Sequence, residues 1–213
     1  MQSAVPNKPV GTVRETQRLA TKSTILDVAI EHFAARGFEG SSLPDIAKDC
    51  GSRVSLILYH FGSKLGLWEA CIASVYDAVE RKIDAAAPQI AAASGIERLQ
   101  IAIATYIRAT AAYPAFHRLL FQEAMQDSDR LSWLVEHHQR AISDRMVALI
   151  EEAKMAKLLP ADASSMHLKF VLSGMFALPI AFAPEYRLLA REEPIDDTFI
   201  DRHIALCLRL IVG

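Results

Sequence analysis

The chain is poor in the residues that punctuate or cross-link a fold. Nine glycines and nine prolines are spread over 213 residues. With 52% hydrophobic residues and abundant alanine, that scarcity favours long helices. Three cysteines, Cys50, Cys71 and Cys207, cannot all pair within one chain and show no metal spacing, which points to a reducing cytoplasm. No apolar run reaches the roughly 18 residues needed to span a bilayer, which argues against a membrane partner. The opening segment, MQSAVPNKPVGTVRETQRLATK, lacks the apolar stretch of a secretory signal. Neither a Gly-rich phosphate loop nor a GxSxG elbow is present, so the sequence offers no enzyme nucleophile and implies no cofactor.

Charge of one sign is also missing. The net charge is −2. Residues 1–70 carry eight Lys/Arg against seven Asp/Glu, or +1, which leaves −3 for the remainder. Any attraction for an anionic partner must therefore come from a local patch. Lys8, Arg14, Arg18 and Lys22 precede the first expected helix, the first three of them in a stretch, 1–20, that reads as a solvated tail.

What is present is a compact pattern from Ser42 to Phe61, SLPDIAKDCGSRVSLILYHF. Ser42 suits an N-cap, Asp45 follows three residues later, and Pro44 is tolerated in a first turn. Leu43, Ile46 and Ala47 fall at helical spacing, and Cys50-Gly51 provides a stop. A second short helix from about Arg53 would turn Val54, Ile57 and Leu58 toward the first, and would carry Ser52, Arg53 and Ser55 at its start. Two short helices joined by a tight turn form a helix-turn-helix, whose second helix fits the major groove and reads bases with its N-terminal residues.

The flanks sharpen this reading. Upstream, Ile25, Ala29 and Phe33 form an apolar stripe that ends at Arg36-Gly37-Phe38, and downstream runs YHFGSKLGLW. The ordered set (helix-ARGF, a hydroxyl pair before the second helix, DIA, Gly51 and YHFGSK) resembles the N-terminal domain of the TetR family of transcriptional regulators over about Thr21 to Ala70. The resemblance implies that Arg53, Val54, Ser55 and Leu56 face the bases of double-stranded DNA. It places Tyr59, His60 and Lys64 on phosphates, with Ser42 at the start of the second helix and Thr24 on the first helix as further backbone contacts. Leu58 and Pro44 depart from the family's usual residue types, while Phe33, Phe38 and Phe61 read as core.

Helical periodicity continues almost to the C-terminus, with no strand alternation. The fourth helix is expected from a cap at Ser63 to about Ala87, where Pro88 interrupts. A fifth follows Ser94, with Glu97 completing a capping box. A sixth covers AFHRLLFQEAM and a long seventh SWLVEHHQRAISDRMVALIEEAKMA. The eighth spans roughly 163–182, and the ninth about 197–212 after the polar REEPIDD loop. The expected fold is all-α with about nine helices: a tail over 1–20, a DNA-binding head over 21–68, and a ligand-binding and dimerisation body over 69–213.

The body carries two expectations. On the eighth helix Met166, Phe170, Gly174, Ala177 and Ala181 share a face. On the ninth, Ile200, Ile204, Cys207, Leu208 and Ile211 form a stripe opposite Asp201, Arg202 and Arg209. In the family these helices pair two subunits as a four-helix bundle, which implies a homodimer. The family also binds a small-molecule effector within the body, for which Tyr106, Phe116, Phe121, Met125, Trp133, His137, Met146, Phe170 and Phe176 are candidates of the right character. Adjacent His137 and His138 point about 100° apart on a helix and cannot chelate one ion without help, so no metal is expected. The sequence thus reads as a homodimeric repressor released from a palindromic operator by an apolar or amphipathic ligand. The alternative is an all-helical interaction module without operator binding.

Overall fold

The computed structural model describes residues 13–212, and the side chains of 15–211. Lys8, with most of the expected tail, and the side chain of Arg14 lie outside the described residues. Ten helices account for nearly all of the rest, and no strand occurs among the described residues. The chain divides into two compact units between Cys71 and Ile72.

The first unit holds α1 (Val13–Gly40), α2 (Leu43–Asp49), α3 (Val54–Phe61) and the start of α4 (Lys64–Ala92). The first helix begins well before Thr21, so Arg18 and Lys22 are helical and not part of a tail. It kinks at Gly37. That kink brings Phe38 back onto Phe33, with ring centroids 6.0 Å apart, and edge-on to the buried Trp68 at 6.2 Å. Ile25, Ala29, Phe33, Ile46, Ile57 and Leu67 complete a core from which water is excluded.

Two local devices set the angle of the helix-turn-helix. Ser42 caps α2 by accepting the Asp45 N–H, as its sequence position predicts. At the other end Gly51 has φ +64°, and the Ser52 and Gly51 N–H groups donate back to the Ala47 and Lys48 carbonyls. This double closure requires a left-handed residue, which glycine adopts without penalty. The turn into α4 is equally constrained. Ser63 caps by accepting the Gly66 N–H at 2.9 Å, and a Cβ on Gly66 would sit 2.2 Å from the Phe61 carbonyl oxygen.

The second unit contains the rest of α4 with α5 (Gly95–Ala111) and α6 (Ala115–Ala124). A long α7 follows, built of Asp129–Leu134 and Arg140–Met155 around a π-turn at Val135–Gln139. Then come α8 (Ser165–Ala181), α9 (Ala183–Ala190) and α10 (Asp197–Val212). The extra helix beyond the expected nine is α9, whose APEYRLLA sequence has Pro184 in its first turn, where a missing N–H costs nothing. Pro88 does not end α4. It lies on an exposed stretch where water can satisfy the carbonyl that proline leaves unpaired. Ser94 makes no side-chain cap, because Gly95 at φ +55° carries the chain into α5 by another route.

The core of this unit is built from α5, α7, α8 and α10, with Ile103, Ile107, Ile150, Phe176, Ile180 and Ile204 at its centre. Five residues expected at a subunit interface belong to this interior: Ala177, Ala181, Ile200, Ile204 and Cys207 are at most 5% exposed. The His203 ring nitrogen, 3.3 Å from the Phe176 carbonyl, and the Arg108–Asp201 pair at 2.8 Å hold α10 inward against α8 and α5. Leu208 and Ile211 are half-buried against the same core.

Candidate nucleic-acid interface

The start of α3 and one face of α1 together form an exposed concave surface. One groove of about 590 Å³ is walled by Thr21, Thr24, Ser52, Arg53, Ser55, Leu56 and Tyr59, among others. A second, of about 470 Å³, continues it along Gln17, Arg18, Thr21, Leu56, Tyr59 and His60. Thr24, Arg53, Ser55, Leu56, Tyr59 and His60, all expected to touch DNA, therefore come together. Tyr59 is 73% exposed and turns its hydroxyl-bearing ring to solvent beside His60, with centroids 5.2 Å apart. Val54 is half-buried at the helix start. Ile57 is fully buried and locks α3 to the head core, whereas Leu58 is 41% exposed and does not turn inward as its spacing suggested.

Arg53 occupies the N-cap position of α3 in extended conformation and makes no side-chain cap. Its guanidinium has donors only and cannot cap, and the first N–H groups of α3 lack intrahelical partners. Thr24 donates to the Ala20 carbonyl at 3.1 Å while remaining exposed. Ser42 and Lys64 lie outside the two grooves. Ser42 is engaged with Asp45, donating to its carboxylate at 2.6 Å, and Lys64 rests over the Phe38 ring. Phe61 is half-buried rather than core, and Lys22 Nζ lies 5.6 Å from its centroid.

The extended α1 adds groups that the sequence reading had placed before the first helix. Arg18 and Lys22, one turn apart, stand near His60. Desolvation lowers the imidazole's pKa, and the two cations lower it further. Arg18 in turn is hydrogen-bonded to Glu15 at 2.9 Å, which raises its own pKa. Ser52 is a further member that motif matching passed over. Its Oγ is buried without a hydrogen-bond partner in the wall of the first groove. Cations, hydroxyls and free helix N–H groups on one exposed surface suit a polyanion, and an eight-residue helix projecting from it suits the major groove.

A partly buried link steadies this surface from behind. His32 Nε2 lies 2.8 Å from Asp49 Oδ2 and ties α1 to the end of α2, with Arg36 at 3.5 Å from the other ring nitrogen. No sequence motif signalled it, because the two residues are brought together only by the fold of α2 against α1.

The second unit holds a separate, apolar chamber of about 80 Å³. Tyr106, Met146 and Phe176 line it, with Ile83, Leu99 and Leu149 among the aliphatic walls. The other six ligand candidates stand elsewhere. Phe116 is fully buried against Tyr76 at 4.7 Å, and Phe121 pairs with Phe182 at 6.1 Å. Trp133 and His137 stack on each other at 4.9 Å at the π-turn. Met125 and Phe170 are 84% and 64% exposed. Aromatic content at helical spacing did not reveal which residues face a void, because ring packing and cavity lining leave the same pattern. Among the described residues no group of three or more metal-ligating side chains occurs.

A helix-turn-helix head of this geometry, followed by an all-helical body, defines a DNA-binding regulator. The profile described as "Bacterial regulatory proteins, tetR family" matches residues 25–71. The HTH-type transcriptional regulator RutR of Escherichia coli (strain K12) is 26% identical over 194 residues, covering 91% of this chain and 89% of RutR. IcaR, the biofilm operon icaADBC HTH-type negative transcriptional regulator of Staphylococcus aureus (strain Newman), is 36% identical over 56 residues, 26% of this chain and 30% of its own. Among solved structures, a TetR-family member from Streptomyces coelicolor A3 superposes with a TM-score of 0.69 at 20% identity, covering 89% of each chain. KstR2, a ketosteroid transcriptional regulator of Mycobacterium tuberculosis, gives 0.68 at 17%, covering 90% of this chain and 95% of KstR2. The head over residues 25–71 thus matches the TetR family of bacterial regulatory proteins, and the chain is similar to regulators of that family along most of its length.

Proposed function

We propose that the chain acts in the cytoplasm as a homodimeric repressor that leaves a palindromic operator when a small molecule fills the apolar chamber. Residues 21–68 read DNA, and residues 69–213 bind effector and partner. The observation that carries this reading is the convergence of Thr24, Arg53, Ser55, Leu56 and Tyr59 on one exposed surface. Arg53 is suited to donate two hydrogen bonds to guanine, and Leu56 to touch a thymine methyl group. Arg18, Lys22 and Tyr59 take phosphates beside them.

A second copy of the chain is the natural cover for the outward face of α8 and α10. Met166, Phe170, Leu178, Leu206 and Leu210 are each at least 44% exposed, and Gly174 has open space where a Cβ would be. This is the side opposite Phe176 and Ile180 on α8 and opposite Ile204 and Cys207 on α10. An effector that binds the DNA-incompetent arrangement better than the competent one shifts the population off the operator. IcaR's description as a negative regulator supports the repressor sign. No single helix among the described residues is long and apolar enough to cross a membrane.

The test is footprinting of the gene's own upstream region with the purified chain, at several salt concentrations. A protected palindrome with steep salt dependence is expected. Absence of any sequence-selective, salt-dependent protection would instead leave a helical interaction module.

A further inference from the structure

The chamber's walls are nearly all hydrocarbon, and Thr105, Tyr106 and Arg145 are the polar side chains among its lining residues. Tyr106, half-buried, lines the chamber and supplies a phenol hydroxyl to its wall. Burial pushes the phenol's pKa up, so it is a neutral donor. Behind it, edge-on at 6.2 Å between ring centroids, stands His117, which is 2% exposed and whose Nε2 lacks a hydrogen-bond partner. Burial lowers this imidazole's pKa to about 4, so it too is uncharged at neutral pH. A buried polar group left unpaired is destabilising, and the His117 Nε2 is such a group, standing behind the Tyr106 ring in the chamber wall.

The cationic lining residue is Arg145, and it is already committed. Its guanidinium donates to Asp84 at 2.7 Å, and its side chain is 50% exposed, on the solvent side of the chamber. A carboxylate brought to Arg145 would meet the Asp84 carboxylate, and one placed at Tyr106 would lose its hydration among hydrocarbon walls.

We propose that the chamber takes an uncharged apolar molecule carrying one hydroxyl or carbonyl oxygen, held by the Tyr106 hydroxyl with His117 positioned behind it. This rests on the reading that the chamber is the effector site. It narrows the effector to alcohols and ketones and sets aside carboxylates. A ketone oxygen accepts from Tyr106, and an alcohol both accepts and donates.

Calorimetric titration of the full chain with octan-1-ol, octan-2-one and octanoate tests the assignment. Both neutral probes should bind at least about tenfold more tightly than octanoate, the discrimination expected when a polar site is built for one oxygen. Tyr106→Phe, which keeps the ring and its packing, should weaken both neutral probes about tenfold. Leu149→Trp, which fills the chamber, should abolish them. Octanoate binding as tightly as octanol and lost in Arg145→Ala would overturn the proposal, as would unchanged octanol affinity in Tyr106→Phe or no binding of either neutral probe. Operator affinity measured with and without octanol is a separate readout. Binding that leaves operator affinity unchanged would refute coupling to DNA and leave the ligand class standing.

Discussion

The Lys64 ammonium lies 4.4 Å from the centroid of the Phe38 ring, joining the first turn of α4 to the turn that follows the α1 kink. This contact makes Lys64 a brace for the Phe38 ring of the head, and the proposed phosphate contact would give the same cation a second role. Lys64→Ala should lower affinity for all DNA sequences alike and reduce the salt slope by about one unit. It should also cost the head about 0.5–1 kcal/mol through the lost cation–π contact. Lys64→Arg should restore both. A sequence-selective loss on Lys64→Ala would contradict the phosphate role.

Arg53 behaves differently because it sits at the N-terminus of the recognition helix, without a capping bond to lose. Arg53→Ala should weaken cognate binding by about 1–3 kcal/mol and relax discrimination at one base pair, with little change in thermal stability. Competition binding against a library of single-base operator variants measures this. Equal losses on cognate and random DNA would reassign Arg53 to the backbone.

His60 offers a pH test with a definite sign. Desolvation first, then Arg18 and Lys22, lower its pKa in the free protein, so the ring is neutral at pH 7. A DNA phosphate beside it favours the charged form and raises the pKa again. Binding therefore takes up a proton, and affinity should rise as pH falls from neutrality through the ordinary histidine range, about 6.5. His60→Gln should flatten that dependence between about pH 8 and 6 at constant ionic strength. If the wild type and His60→Gln share the same slope, His60 is not at a phosphate.

His117 sets an acid limit on the body. The unfolded chain binds a proton at this residue below about 6.5, whereas the folded chain binds one only near 4. The unfolded state thus holds more protons across that window, and stability is lost as pH falls through it. The shift corresponds to about 3 kcal/mol when complete. Denaturant titrations of the body signal between about pH 7 and 4 should show this loss, and His117→Phe should remove most of it. An unchanged acid profile in His117→Phe would mean that other groups set the limit.

The head was legible in the sequence because its signals are local. Ser42, Gly51 and Ser63 act within four residues of their own positions, so spacing alone located α2, α3 and the start of α4. That Arg53, Ser55, Leu56 and Tyr59 line one groove followed from their place on α3. What depended on distant packing was not legible. The length of α1 hid behind a polar opening stretch, and Arg18 and Lys22 were consequently misplaced. The inner and outer faces of α10 carry similar aliphatic residues, so periodicity found a stripe but not its partner. The burial of Ile204 and Cys207, with His203 on the Phe176 carbonyl and Arg108 on Asp201, shows which way the helix turns. The chamber has no sequence signature, since it is defined by space that side chains fail to fill.

The two faces of α8 and α10 give the sharpest test of assembly. Phe170 is 64% exposed, with Lys169 Nζ 4.3 Å from its ring centroid, and Ile204 is 5% exposed within the core. Phe170→Glu should leave the monomer folded, with unchanged helix content and melting within a few degrees, because its cost falls only on a surface that a partner would cover. The dimer should dissociate, and operator affinity should fall with it, since two heads must be held one helical turn, roughly 34–36 Å, apart on a palindrome. Ile204→Glu should instead unfold the body, because it buries an unpaired charge at a cost of several kcal/mol. Sedimentation and circular dichroism of both variants decide the matter. A folded Ile204→Glu monomer alongside an intact Phe170→Glu dimer would reverse the assignment of inner and outer faces.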